Sequence, residues 1–179
     1  ILYHFLGLTS VLPPDFLENI QFYPGGFSAK YSRATAGIVD VTTRDLDCDR
    51  FRLNAEIDLI DSAAYSCVPI GDWSVAAAVR RSYVDLFIPL ILDATTGDDE
   101  GRITASPVYT DYQVKAETTF GNHRLTLFNF GSADDLDFIR TGSAEDVNVD
   151  SSFNQFFNRF VVRDRWNIAD EFQLISSLS

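Results

Sequence analysis

Methionine is absent from the 179 residues, and the chain holds only two cysteines and two histidines. Cys48 and Cys67 are too few for a disulfide scaffold and lack metal-ligand spacing. They read as two unpaired thiols, with a single bridge open to them in an oxidising compartment. His4 and His123 lie far apart and outside any metal-binding pattern. No Ser/His/Asp order, Cys/His pair or paired-acid motif points to catalysis, so neither an enzyme nor a cofactor is expected. Basic residues are also scarce, 14 against 26 acidic ones, for a net charge of -12. That balance argues against a nucleic-acid partner, which needs clustered Lys and Arg to neutralise phosphates. With no initiator methionine and no charged-then-apolar leader, the sequence reads as a mature or trimmed segment.

Long apolar runs are missing too. A membrane helix needs about 20 apolar residues, and the longest candidate, Val84 to Leu92, contains Asp85 and Pro89. A membrane β-barrel stays open, because its strands need only about 9–11 residues. What the chain does have is apolar content of 46%, with 15 phenylalanines, enough for a large buried or lipid-facing surface.

Residues 1–46 are broken by Pro13, Pro14, Pro24, Gly7, Gly25, Gly26 and Gly37. The pattern predicts a short helical turn in "PPDFLENI", a strand at Glu18–Tyr23, a tight turn at Pro24–Gly26 and a strand at Gly37–Thr43. From about Arg50 long alternation takes over. In "FRLNAEIDL", Phe51, Leu53, Ala55, Ile57 and Leu59 oppose Arg52, Asn54, Glu56 and Asp58. Strict period two predicts a strand with one apolar and one polar face. "WSVAAAVRRSY", "YTDYQVKAETTF" and, less cleanly, "FNQFFNRFVVRDRW" behave alike. Short turns at 70–73, 120–124 and 166–172 alternate with polar links at 92–106 and 130–152, as in an up-and-down meander with unequal ends. Trp73, Phe120, Trp166 and Phe172 stand beside the short turns, where a membrane-interface girdle would sit and where ordinary strand-end core residues also occur. Small residues on the polar side of one strand, Ser74, Ala76 and Ala78, leave room for something against that face.

The stretch "LENIQFYPGGFSAKYSRATAGIVDVTTR" first suggests a phosphate loop, but the spacing is wrong and no helix follows. It resembles instead the closing segment of the plug domain of TonB-dependent outer-membrane receptors. Ile20, Phe22, Gly25, Ser28, Tyr31, Gly37, Val39, Val41, Thr43 and Arg44 take the motif's places. Ser32 stands where the family usually has glycine, and Asp40 where asparagine is common. The resemblance implies an all-β chain: residues 1–46 the second half of a plug, and 47–179 the first seven or so antiparallel, up-and-down strands of a transmembrane β-barrel. Only part of the roughly 22 strands of such a barrel would then be present. An open sheet cannot span lipid alone, so the rest is expected from a longer polypeptide or from another outer-membrane chain. The implied activity is import of a scarce nutrient such as an iron chelate, cobalamin or a glycan. The implied location is the bacterial outer membrane. Lipid or lipopolysaccharide and a TonB-type energy-coupling protein, reached through a segment outside this sequence, are the implied partners. A barrel with a permanent plug, scaffolding surface machinery, and a soluble all-β binding module are the alternatives.

Several residues are candidates on this reading. Arg44, Arg52, Arg80, Arg159 and Arg163 could pair with Glu18, Asp40, Glu56, Asp58 and Glu117 as a latch between plug and wall; plain solvation of a wet lumen is the plainer account. Tyr3, His4 and Phe5 could touch ligand or simply pack. Asp98, Asp99 and Glu100 lie in an acidic outer link that could hold calcium, though the EF-hand spacing is missing. Asp93, Asp134, Asp135 and Asp137 belong to the same acidic links.

Overall fold

The computed structural model describes residues 4, 10–28, 31, 36–83, 102–141 and 151–179; at 102–107, 137–141 and 151 it describes the backbone path. Among these residues the chain is all-β, apart from one 3-10 turn at Pro14–Phe16. That turn begins where the expected helical turn did, with proline at its start and Asp15 in its first turn.

Two sheets form. In the smaller one, β1 (Leu17–Tyr23) pairs antiparallel with β2 (Ile38–Thr43). Both strands lie where the alternation puts them. The larger sheet has seven strands in strict sequence order, each antiparallel to the next: β3 (Arg52–Ile57), β4 (Asp61–Ile70), β5 (Trp73–Ser82), β6 (Arg102–Phe120), β7 (His123–Thr141), β8 (Ser151–Ala169) and β9 (Phe172–Leu178). The sheet is open, with β3 and β9 at its edges.

Three tight turns lie at one end, at Gly71–Asp72, Gly121–Asn122 and Asp170–Glu171. Gly71 and Gly121 take positive φ values of 60° and 55°, the left-handed backbone that two-residue hairpin loops require and that glycine adopts without strain. The third turn has no glycine, and a register shift between Asn167 and Ala169 accompanies it.

Two expectations need correction. The stretches 102–106 and 130–141 are strand rather than link, since β6, β7 and β8 each run for 19 residues. Asp134 therefore sits in a ladder, paired with Tyr109 and Gln155, and not in an outer loop. Also, the β3–β4 connection at 58–60 is short, although it lies at the end opposite the tight turns.

Register assigns the faces. Ser74, Ala76, Ala78 and Arg80 stand beside Glu117, Lys115, Gln113 and Asp111, which stand beside Thr126, Phe128, Phe130 and Ser132. This face is covered by the N-terminal segment. Val11, Leu12 and Phe16 close over Ala76, Ala78, Cys67, Phe128 and Phe130. Phe16 meets Tyr65 edge-on at 5.5 Å and Phe128 at 5.8 Å between centroids. Burying its ring is worth about 1.5–3 kcal/mol, and the small Ala76 and Ala78 make the space for this layer.

The opposite face carries Leu53, Ile57, Val79, Val114, Phe120, Phe156 and Phe160, all exposed. The inversion is sharpest along β6. Asp111, Gln113, Lys115 and Glu117 are 0%, 1%, 1% and 4% exposed, whereas Val114 and Phe120 are 46% and 53% exposed.

Candidate functional site

The polar face of the sheet and the segment lying on it form the site. Four attachments hold them together.

The first centres on His4. Its Nδ1 lies 2.5 Å from Asp134 Oδ1 and its Nε2 lies 2.9 Å from Asp111 Oδ2. The ring stacks on Tyr109 at 4.1 Å. Arg80 on β5 donates from Nε to Asp111 Oδ2 at 3.0 Å and from Nη2 to the Ser10 carbonyl. Tyr109 in turn donates its hydroxyl to Asp61. Burial pulls the His4 pKa down, but the hydrogen bonds and charges of Asp111 and then Asp134 outweigh it, so the value rises above 6.5. As an imidazolium, His4 donates to both carboxylates at once.

Next along β6, Gln113 donates from Nε2 to the Val11 carbonyl at 2.6 Å. Asp111 Oδ1 and Gln113 Oε1 are buried without a partner among the described residues. Both residues border a cavity of about 30 Å³, room for about one water molecule.

Lys115 makes the third attachment. Its Nζ donates to the Arg44 carbonyl at 2.6 Å and to Thr43 Oγ1 at 3.2 Å, and pairs with Glu117 Oε1 at 2.9 Å. Glu117 accepts the Leu46 amide at 2.6 Å and the Thr126 hydroxyl at 2.9 Å. A lysine and a glutamate side by side, both nearly inaccessible, are tolerated because each is paired and their other polar atoms are satisfied.

The fourth attachment is Asp45, with Arg124 Nη1 and Arg165 Nη1 each 2.9 Å from its Oδ2. Its partial burial favours the neutral acid, but Arg165, then Arg124 and Lys115, hold its pKa below the usual carboxylate value. Just beyond it, Cys48 is bonded to Cys67 of β4 across a Cα–Cα distance of 5.8 Å. The two cysteines are therefore paired, not free. Cys48 also donates its amide to Ser74 Oγ at 3.3 Å.

Of the expected latch residues, Arg80 and Glu117 lie at the centre of this interface. Arg44 takes part through its carbonyl, while its guanidinium lies 3.4 Å from the Leu17 carbonyl. The others are not brought together as the pairing scheme supposed. Arg52 binds Asp49 in solvent. Asp40 accepts the Tyr31 hydroxyl. Asp58 closes the 58–60 turn by accepting the Ile60 and Asp61 amides at 2.8 and 3.0 Å. Those two hydrogen bonds to its carboxylate hold its pKa down. Glu18 and Glu56 are exposed. Arg159 donates to Ser179 Oγ at 2.9 Å, and Arg163 faces a groove beside β2. One arginine–carboxylate fork does join segment and wall, but it is made by Asp45 with Arg165 and Arg124; elsewhere backbone carbonyls, and two aspartates reached from His4, do that work.

His4, Asp45, Asp111, Gln113, Lys115, Arg124, Asp134 and Arg165 are interface members outside the expected latch set. His4 stood among the candidates for ligand contact; buried, it serves attachment instead. Its carboxylate partners lie 107 and 130 residues downstream, beyond any local pattern. The one available signal was strand parity, which places Asp111 on the polar face of β6. Tyr3, Phe5, Asp98, Asp99 and Glu100 lie outside the described residues. Among the described residues no cluster of three or more His, Cys, Asp or Glu could hold a metal ion.

No protein-family model matches this chain, and no curated protein or solved structure matches it.

Proposed function

We propose that this chain is part of a plugged outer-membrane β-barrel of the TonB-dependent receptor class, which binds a scarce nutrient and imports it. Residues 1–46 are read as the second half of the plug and the seven-stranded sheet as the first part of the barrel wall. The observation that carries the reading is the inverted β6. A soluble sheet buries its apolar face and wets its polar one. Here the charged face is buried and the apolar one lies bare, the arrangement suited to hydrocarbon outside and a polar lumen within.

Strand length supports the same reading. β4 and β5 have 10 residues each, matching the about 9–11 that a tilted strand needs to cross a bilayer. Phe120, His123 and Trp166 stack in sequence near the tight turns, at centroid spacings of 5.2 and 5.2 Å. That is where an interfacial aromatic belt would lie. Beside the apolar layer of Val11, Leu12 and Phe16, the segment is held to the wall by discrete hydrogen bonds and ion pairs, which a pull transmitted from a TonB-type protein would break one by one. The exposed face would meet lipid and lipopolysaccharide. Catalysis has no place in this reading.

A permanently stoppered scaffold barrel is favoured by one observation, the buried ion pairs that fasten the segment. The full gene product separates the two. Fractionation with the outer membrane, heat-modifiable gel migration and energy-dependent uptake are expected of the transporter. Outer-membrane location without uptake indicates the scaffold. Recovery in the soluble fraction without detergent sinks both.

A further inference from the structure

A groove of about 420 Å³ runs between the smaller sheet and the wall strands β7–β9. Val39 and Val41 of β2 form one side, Phe128 and Phe157 the other, and Arg159 and Arg163 of β8 project into it from the wall. The volume falls within the roughly 300–1,000 Å³ usual for small-molecule sites, and the lining joins apolar side chains to the two arginines and to Thr43, Ser177 and Ser179.

Charge decides what fits. Register places Arg159, Arg163 and Arg165 on one face of β8, with Arg124 beside Arg165. Asp45 neutralises the lower pair, Arg124 and Arg165. The upper pair has no carboxylate partner among the described residues: Arg159 meets only a serine hydroxyl, and Arg163 has no hydrogen bond or ion pair. Two cations lining a groove of mixed apolar and polar character, in a chain of net charge -12, form a local positive field. Such arginines select anions where they line a passage, and their planar forks match carboxylate, sulfonate and phosphate groups.

We propose that this groove binds an anionic small molecule with an aromatic or otherwise apolar body, its acid group held by Arg159 and Arg163 and its body lying against Phe157 and Val39. The proposal rests on the transporter reading and names the chemical class of the cargo. The probe is 1-naphthoate, compared with its neutral amide and with cationic 1-naphthylmethylamine. Binding is measured by saturation-transfer NMR and competition on the full-length protein in nanodiscs.

Naphthoate is expected to bind at least tenfold more tightly than the amide, and the amine not at all. Arg159→Gln with Arg163→Gln abolishes the preference, and Arg159→Lys with Arg163→Lys retains most of it. Equal binding of the three probes overturns the proposal, as does a preference that the double glutamine variant leaves intact. An acidic side chain of the same polypeptide seated on the two arginines in the full-length protein also overturns it. Failure here leaves outer-membrane fractionation and uptake untouched, so the two readings fail separately.

Discussion

Replacing His4 by alanine tests whether the N-terminal segment is fastened as described. The substitution removes two charge-assisted hydrogen bonds and a ring stacked on Tyr109. It leaves Asp111 and Asp134 buried, with Arg80 as the remaining counter-charge. Breaking a buried pair by removing one partner costs about 3–5 kcal/mol. At about 1.4 kcal/mol per decade, the open state of the segment rises by roughly two to three and a half orders of magnitude. Hydrogen exchange of peptides covering 10–23 and 38–46, expressed as protection relative to intrinsic rates, reads this directly. The β8–β9 ladder, which holds neither carboxylate partner of His4, serves as the internal control and should be unaffected. The pH dependence follows from the direction of the His4 shift. Folding favours the imidazolium, so the contribution is full below about pH 6.5 and is lost as pH rises through the raised value. Protection of the segment in the wild type should fall across that alkaline window, and in His4→Ala the fall should vanish. Protection unchanged within threefold on substitution, or rising rather than falling as the pH of the wild type is raised above about 6.5, refutes the reasoning.

Three other outcomes are expected. Lys115→Met leaves Glu117 buried without its ammonium and should lower stability by about 3–5 kcal/mol; adding Glu117→Gln should restore part of the loss in a denaturant titration. Gly131→Ala should destabilise by about 1–3 kcal/mol, because a Cβ there would lie 2.6 Å from the Phe157 carbonyl and 2.7 Å from the Tyr112 hydroxyl; Tyr112→Ala should give only partial rescue in thermal melts, since the carbonyl cannot move aside. Phe160→Arg, on the bare face, should reduce bilayer insertion by about 2–4 kcal/mol if that face meets mid-bilayer lipid; unchanged insertion and improved solubility would count against lipid contact.

What the sequence made legible follows from the range of each signal. Alternation and turn residues act over a few positions, so β1, β2, β3 and β5 appear within a residue or two of their true ends. The polar ends of β6 and β7 were read as links because hydrophobicity fades there. A ladder is held by backbone hydrogen bonds and extends past the apolar belt. Strand parity was also local, and it placed Arg52, Arg80, Arg159 and Arg163 on one face correctly. Pairing across the interface was not local. Asp45 sits next to Arg44 in the chain, yet its partners Arg124 and Arg165 lie far downstream, and nothing near it announces them. Cys48 and Cys67 likewise show no spacing signature. Only the hairpin that folds β3 onto β4, placing Arg52 opposite Cys67, brings the thiols together.

That bond has an architectural consequence. All six residues of β3 are exposed, and the strand is the border of the sheet, the kind of element that ordinarily frays. The cross-link encloses β3, the 58–60 bend and most of β4 in one covalent ring. The ring favours the pairing of β3 with β4, and as the edge strand β3 has its outer amides and carbonyls on offer. In the barrel proposed above, a strand arriving to complete the wall would meet a template already laid down, and closure would become the joining of a seam rather than a search for one.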